Sequence, residues 1–204
     1  IKGLEKQFSK ANMVTLGLTM ESNVEPLPTG SITLDQAIGI GGLPVGRCVE
    51  IFGPNASGKT SLSLYQIKNW QDHAAALKQE GRYALLIDLE KATTRKMLDS
   101  FGIDQDRFLH AKPDTAEEAL TMALKLVESG EIGIMVLDSV DALQTEQQLK
   151  REVGDADVGG ITKPLNFFIR QFAKVCPDTD TTAIFINQIR FKPGVSFGDP
   201  QTTP

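Results

Sequence analysis

The sequence predicts an α/β fold with a mainly parallel central sheet covered by helices on both faces, and three observations predict it. Four short apolar runs, residues 47–52 (RCVEIF), 83–88 (YALLID), 132–138 (IGIMVLD) and 182–187 (TAIFIN), each have the length of one strand. They are nearly continuous in hydrophobicity rather than alternating, as strands buried on both faces must be. Helical stretches lie between them, and the first run leads directly into a glycine-bearing turn, which is the order of a parallel sheet with crossover helices.

The elements between the strands can be justified in turn. After the first run, residues 53–60 form the turn and a helix follows. The clearest helix starts after Pro113: Asp114 can cap it, Glu117 sits three residues later as in a capping box, and Gly130 ends it. Its apolar positions, Ala116, Ala119, Leu120, Ala123, Leu124 and Val127, fall at helical spacing, which core packing explains. A second helix is expected over about 163–175, with Leu165, Phe168, Ile169 and Phe172 on one face. Phe167 and Phe168 would suit base stacking, but packing is the favoured reading because the apolar positions share one stripe. Residues 150–162 (KREVGDADVGGIT) are polar, carry glycines and lack a helical period, so they read as a loop. Residues 191–204 (FKPGVSFGDPQTTP) read the same way.

Composition narrows the function classes. At 204 residues, one large domain is expected, able to bury its core without disulfides or metal. Cys48 and Cys176 are the only cysteines, and with His73 and His110 they suggest neither a zinc site nor a disulfide framework. Both histidines read as structural. Neither cysteine has a partner in the sequence that would make it reactive, and both suit a reducing cytosol. There is no apolar run of about 18 residues and no charged-then-apolar leader, so no membrane partner is expected and the cytoplasm is the expected location. A net charge of −5 argues against coating nucleic acid by bulk charge, so any DNA contact must come from particular loops or faces.

The strongest chemical signal is Gly53-Pro54-Asn55-Ala56-Ser57-Gly58-Lys59-Thr60, which fits G-x-x-x-x-G-K-[ST] between a strand and a helix. Glycines let the backbone curl so that its N–H groups point at phosphate oxygens, and the following helix adds the positive end of its dipole. Lys59 would reach the β and γ phosphates, and Thr60 would offer its hydroxyl to Mg²⁺. The third apolar run ends in Asp138, which would reach the carboxyl edge of the sheet beside that loop and hold Mg²⁺ through water. Glu90 follows the second run and would project at the same edge, where a carboxylate can deprotonate an attacking water. Asp88 competes for that role, and spacing cannot separate the two. Gln188 lies just past the fourth run, as a γ-phosphate sensor or as a strand-end amide bonded to backbone.

These motifs join stretches that resemble the bacterial RecA recombinases, including relatives carried by phages: TGSITLDQAIGIGGLPVGRCVEIFGPNASGKTSL, LIDLEKA, KPDTAEEAL, VLDSVDAL, REVGDADVGG and IFINQIRFKPGVSFGDPQTT. The resemblance covers nearly the whole chain. It implies a RecA-like P-loop NTPase core and an ATP-dependent homologous recombinase. Such a protein forms a helical filament on single-stranded DNA, hydrolyses ATP when DNA stimulates it, and promotes pairing and strand exchange with homologous double-stranded DNA in repair and the SOS response. It implies ATP and Mg²⁺ as ligands, Glu90 as the catalytic carboxylate, Asp138 as the Mg²⁺-associated acid, and Gln188 as the switch to the DNA loops. Ser61 extends the phosphate loop, and Thr94 and Met97 stand near the adenine, where the family usually has an aspartate and a tyrosine.

Two DNA loops are implied near 152–160 and 190–204, with Val158, Gly159, Gly160, Lys163, Arg170, Arg190, Lys192 and Phe197 as candidate contacts. Val158 and Phe197 would touch or wedge between bases, though Phe197 also reads as a loop anchor. Asn55 and Ala56 replace the usual Glu and Ser, and extra residues around Asn69 to Ala76 would lengthen the helix after the phosphate loop. Residues 1–28 resemble the end of an N-terminal polymerisation segment with its linker, and 29–204 an ATPase core that stops in the second DNA loop. Two alternatives share this core: an ATP-switched DNA-binding assembly protein with little turnover, and a helicase or motor. REVGDADVGG and INQIRFKPG argue against the motor.

Overall fold

The computed structural model describes residues 24–150, 160–191 and 201–202. A small antiparallel ribbon, β1 (Pro26–Leu27) against β2 (Leu43–Pro44), brackets α1 (Ile32–Ile38). Ser31 caps α1 through the Leu34 N–H, and Gly39 ends it in the left-handed conformation at φ +89°. The chain then alternates through β3 (Cys48–Gly53), α2 (Lys59–His73), β4 (Tyr83–Asp88), α3 (Arg95–Phe101), β5 (Phe108–Ala111), α4 (Ala116–Glu128) and β6 (Ile132–Asp138). It continues with α5 (Glu146–Leu149), α6 (Thr162–Thr179), β7 (Thr182–Gln188) and a short pair, β8 (Arg190–Phe191) with β9 (Gln201–Thr202).

The central sheet has the order β3-β7-β6-β4-β5, and every neighbouring pair is parallel. This is the expected α/β architecture, with the four apolar runs as β3, β4, β6 and β7. Its inner strands alternate between two apolar cores. Leu85, Ile87, Met135, Leu137, Ala183 and Phe185 face α4 and α6, whereas Ala84, Leu86, Ile134, Val136, Ile184 and Ile186 face α2 and α3. Apolar residues at every position are therefore what the strands need.

Four sequence expectations require correction. The fifth strand, β5, was not expected: Phe108–Ala111 is a four-residue edge strand of half-buried residues containing His110, too short and mixed to stand out. The cap of α4 is Thr115, whose side chain accepts from the Glu118 N–H at 3.2 Å, while Asp114 instead pairs with Lys91 at 2.6 Å. Helix α6 runs beyond Val175 and through Pro177 to Thr179, closed by Asp180 at φ +50°, whose N–H donates to the Cys176 carbonyl. Phe168 packs against the core as expected, but Phe167 is 57% exposed and meets Phe168 edge to face.

Gly133 interrupts β6 for a reason that lies elsewhere in the chain. The pairing of β4 with β6 skips it, from Tyr83 opposite Ile132 to Ala84 opposite Ile134. A Cβ there would fall 2.1 Å from Cζ2 of Trp70, a wholly buried residue of α2 whose indole N–H donates to Gln79 Oε1. Trp70 lies within the stretch read as an insertion, and glycine is the residue that lets its ring lie on the strand backbone.

Candidate nucleotide-binding site

The site forms where β3, β6 and β7 end together, at the carboxyl edge of the sheet, where open parallel sheets bind ligands. After Gly53 the chain turns back through Ala56 at φ +58° and Gly58 at φ +88° and enters the 15-residue helix α2 at Lys59. That directs the helix N-terminus and its free N–H groups toward the turn. Lys59 Nζ donates to the carbonyls of Gly53 (3.0 Å) and Pro54 (2.8 Å), folding the loop around its own cation. Thr60 Oγ1 donates to Asp138 Oδ2 at 2.6 Å, which joins the start of α2 to the end of β6.

Asp138 is 4% exposed. Burial pushes its carboxyl above the ordinary aspartate range, and the nearby Glu90 and Asp88 push the same way, against the Thr60 hydrogen bond and the Lys59 charge. Glu90 Oε1 accepts from the Ser139 hydroxyl at 2.8 Å, and the Leu89 N–H donates to the Asp138 carbonyl at 2.8 Å, so the ends of β4 and β6 are stitched together. Gln188 ends β7 opposite Gly53 of β3. Its N–H donates to Asn187 Oδ1 (3.0 Å), and the Asn187 amide donates to Glu50 Oε1 (2.9 Å). Asn55 to Ser61, Glu90, Asp138, Ile186 and Gln188 line one cavity of about 460 Å³.

Geometry separates the two acids that spacing left open. The Asp88 carboxylate, 1% exposed, accepts from the N–H groups of Ala92 (3.2 Å) and Thr93 (3.0 Å) and lies 3.1 Å from His110 Nε2 and 3.9 Å from Lys112 Nζ. It is fully occupied in holding the turn after β4. Glu90 alone of the pair lines the cavity, because the chain leaves the sheet at Asp88 and strand alternation no longer applies.

The remaining candidates divide. Pro54 contributes its carbonyl to Lys59. Thr94 caps α3 through the Met97 N–H, Met97 packs on the core beside α2 and α3, and neither lines the cavity. Lys163 and Arg170 are exposed two helical turns apart on α6, with Phe167 between them on the same outward face. Gly160 borders a second cavity, of about 610 Å³, beside β3 and α6. Val158, Gly159, Lys192 and Phe197 lie outside the described residues, as does the side chain of Arg190, whose backbone begins β8. Two site residues escaped the sequence reading. Ser139 orients Glu90, and its only signal was a hydroxyl following a strand-end aspartate. Asn187 seats Gln188, and its signal was an amide inside an apolar run.

Comparison with known proteins matches the whole chain, residues 1–204, to the RecA N-terminal domain family. This chain belongs to that family. Its relatives include Protein RecA of Leifsonia xyli subsp. xyli, 44% identical over 200 residues, covering 98% of this chain and 54% of the relative. Protein RecA of Bacillus licheniformis is 40% identical over 204 residues (100% and 57%), and that of Caldanaerobacter subterraneus subsp. tengcongensis 42% over 204 residues (100% and 58%). The chain thus spans little more than half the length of these RecA relatives. No helix among the described residues is long and apolar enough to cross a membrane.

Proposed function

We propose that this chain is the ATPase core of a RecA-type homologous recombinase working in the bacterial cytoplasm. It binds ATP with Mg²⁺, assembles into a filament on single-stranded DNA, and drives pairing and strand exchange with a homologous duplex while DNA stimulates hydrolysis. The observation that carries this reading is the convergence of Lys59, the Thr60–Asp138 pair, Glu90 and Gln188 on one cavity in a RecA-family chain.

The residues fit the ligands. Lys59 is satisfied by neutral carbonyls that phosphate oxygens would outcompete through charge, and the N-terminus of α2 adds its dipole. Thr60 and Asp138 are hard oxygen donors held side by side, and the excess negative charge around buried Asp138 is the environment a divalent cation relieves. Mg²⁺, when bound, would neutralise phosphate charge as the terminal phosphoryl group leaves. Ser139 occupies one oxygen of Glu90, which leaves Oε2 to take the proton of an attacking water. Gln188 lies two residues before Arg190, where the implied second DNA loop begins, so a change in its amide contact passes directly into that backbone.

DNA needs only backbone contacts here, since base pairing between strands reads the sequence. Exposed Lys163 and Arg170 can bind phosphates without sequence preference, with the glycines near 159–160 and Arg190 and Lys192 as further contacts. An acidic chain is compatible with that. The test is ATP hydrolysis with and without single-stranded DNA, on this chain and on one extended to the length of its relatives, with Lys59→Ala as control. DNA-stimulated turnover that Lys59→Ala removes is the expected result. DNA binding by the longer chain with no stimulated turnover would overturn the enzyme reading in favour of an ATP-switched assembly protein.

A further inference from the structure

The two cysteines, 128 positions apart in the sequence, come to one apolar cluster: Cys176 is buried within it and Cys48 packs against it. Cys48 opens β3 and Cys176 lies in the last turns of α6, which packs on β3 and the same apolar core. The approach is close along this contact: a Cβ on Gly46 would sit 3.4 Å from the Cys176 carbonyl. The two environments differ. Cys176 is wholly buried, whereas Cys48 is half-buried and forms part of the wall of the 610 Å³ cavity that Gly160, Ile161 and Asn166 also border. A small polar oxidant in that cavity therefore meets Cys48 first, with Cys176 in the buried cluster on which Cys48 packs.

We propose that Cys48 and Cys176 form a peroxide-reactive dithiol, with Cys48 the attacking and Cys176 the resolving cysteine, whose disulfide ties β3 to α6. The neighbouring Cys176 side chain holds the Cys48 thiol below the usual range, while Cys48 and burial push the Cys176 thiol up. Such asymmetry suits the two roles, since the thiolate is the nucleophile toward peroxide.

The chemistry balances with hydrogen peroxide as oxidant. The Cys48 thiolate attacks one peroxide oxygen, the O–O bond breaks, and the departing hydroxide takes up a proton, leaving water and a Cys48 sulfenic acid. The Cys176 sulfur then attacks the Cys48 sulfur. The S–O bond breaks as the S–S bond forms, and the displaced hydroxide leaves as water with the Cys176 proton. Two thiols are oxidised to one disulfide and one peroxide is reduced to two waters. The product cross-links the start of an edge strand to the helix that carries Lys163 and Arg170.

Treating the full chain with hydrogen peroxide and digesting it with trypsin without reductant tests this. The expected product is one peptide pair, 48–59 joined to 175–190, formed within single chains and released by dithiothreitol. Cys176→Ser should instead accumulate a Cys48 sulfenic acid that dimedone traps, while Cys48→Ser should leave Cys176 unmodified at the same dose. Three results would each overturn the proposal: oxygen added to Cys48 in the parent chain with Cys176 still a free thiol, cross-links only between chains, or two thiols that survive a dose oxidising a free cysteine peptide. The parent chain alone decides these outcomes, so they do not depend on either variant folding.

Discussion

Replacing Gly133 with alanine should destabilise the fold through Trp70 and leave the nucleotide site untouched. The added methyl would stand 2.1 Å from Trp70 Cζ2, 2.4 Å from Cε2 and 2.7 Å from Gln79 Oε1. Ordinary carbon contacts begin near 3.5 Å, so the ring or the strand must give by about 1.4 Å. The ring has little freedom to do so, because it is wholly buried and its N–H is engaged by Gln79, whose own amide donates to the Asp180 carbonyl at 2.7 Å. Overpacking costs about 1–3 kcal/mol, and a clash with the rigid face of an anchored ring belongs at the top of that range. For a chain of this size, about 3 kcal/mol corresponds to roughly 6–12 °C in Tm. The assay is urea and thermal unfolding followed by circular dichroism, on Gly133→Ala, Trp70→Leu and the double variant. Shrinking the indole makes room for the methyl, so the double variant should be more stable than the two single losses added together, by about 1 kcal/mol or more. A Gly133→Ala protein melting within about 2 °C of the parent, or strict additivity, would refute the packing argument.

Three further outcomes follow from the site. Glu90→Gln should keep nucleotide binding but lower DNA-stimulated turnover by about 10²–10⁴-fold, measured as phosphate release beside nucleotide titration; unchanged turnover would remove Glu90 from the chemistry. Asp138→Asn should cut Mg²⁺-dependent turnover by about 10–100-fold yet raise the Tm of the nucleotide-free, metal-free protein. The sign follows from the raised carboxyl: above its folded titration range the buried charge costs stability, so the variant's advantage is full at neutral pH and fades as pH falls toward the unfolded value of 3.8. A lower Tm at neutral pH would contradict it. Phe167→Ala should weaken single-stranded DNA binding by about 5-fold or more in fluorescence anisotropy, as loss of one stacked base would, with only a small fall in Tm, because the ring is 57% exposed and the change removes its edge-to-face contact with Phe168; equal affinity would return Phe167 to the role of a surface residue.

Legibility from sequence tracked how local the determining physics was. The phosphate loop and the four apolar strands were readable because each depends on residues adjacent in the chain: a glycine-permitted turn, a lysine one helix start away, a run buried on both faces. Asp138 was readable because an apolar strand ending in an acid must deliver it to the same edge as Gly53. Spacing could not choose between Asp88 and Glu90, and only the family resemblance pointed to Glu90, since the choice turns on where β4 releases the chain and on His110, whose strand carried too weak a signal to be seen. The cap of α4 was misplaced by one residue because Asp114 and Thr115 are both good caps, and Lys91, from another loop, takes the aspartate.

The same reasoning explains the two cysteines. In sequence each is an isolated small residue, and nothing near either one marks it as reactive. Their meeting depends on α6 crossing back over the first strand of the sheet, which follows from β7 pairing between β3 and β6. The helix leading into β7 packs on both β7 and β3, so the cysteine at the end of that helix is buried in the cluster on which the cysteine at the start of the strand packs. A sheet in which β7 lay at the other edge would keep every local feature of this chain and its phosphate loop, and would separate the two sulfurs. The strand order is therefore the property on which the proposed dithiol depends, and thiol chemistry at Cys48 reports on it.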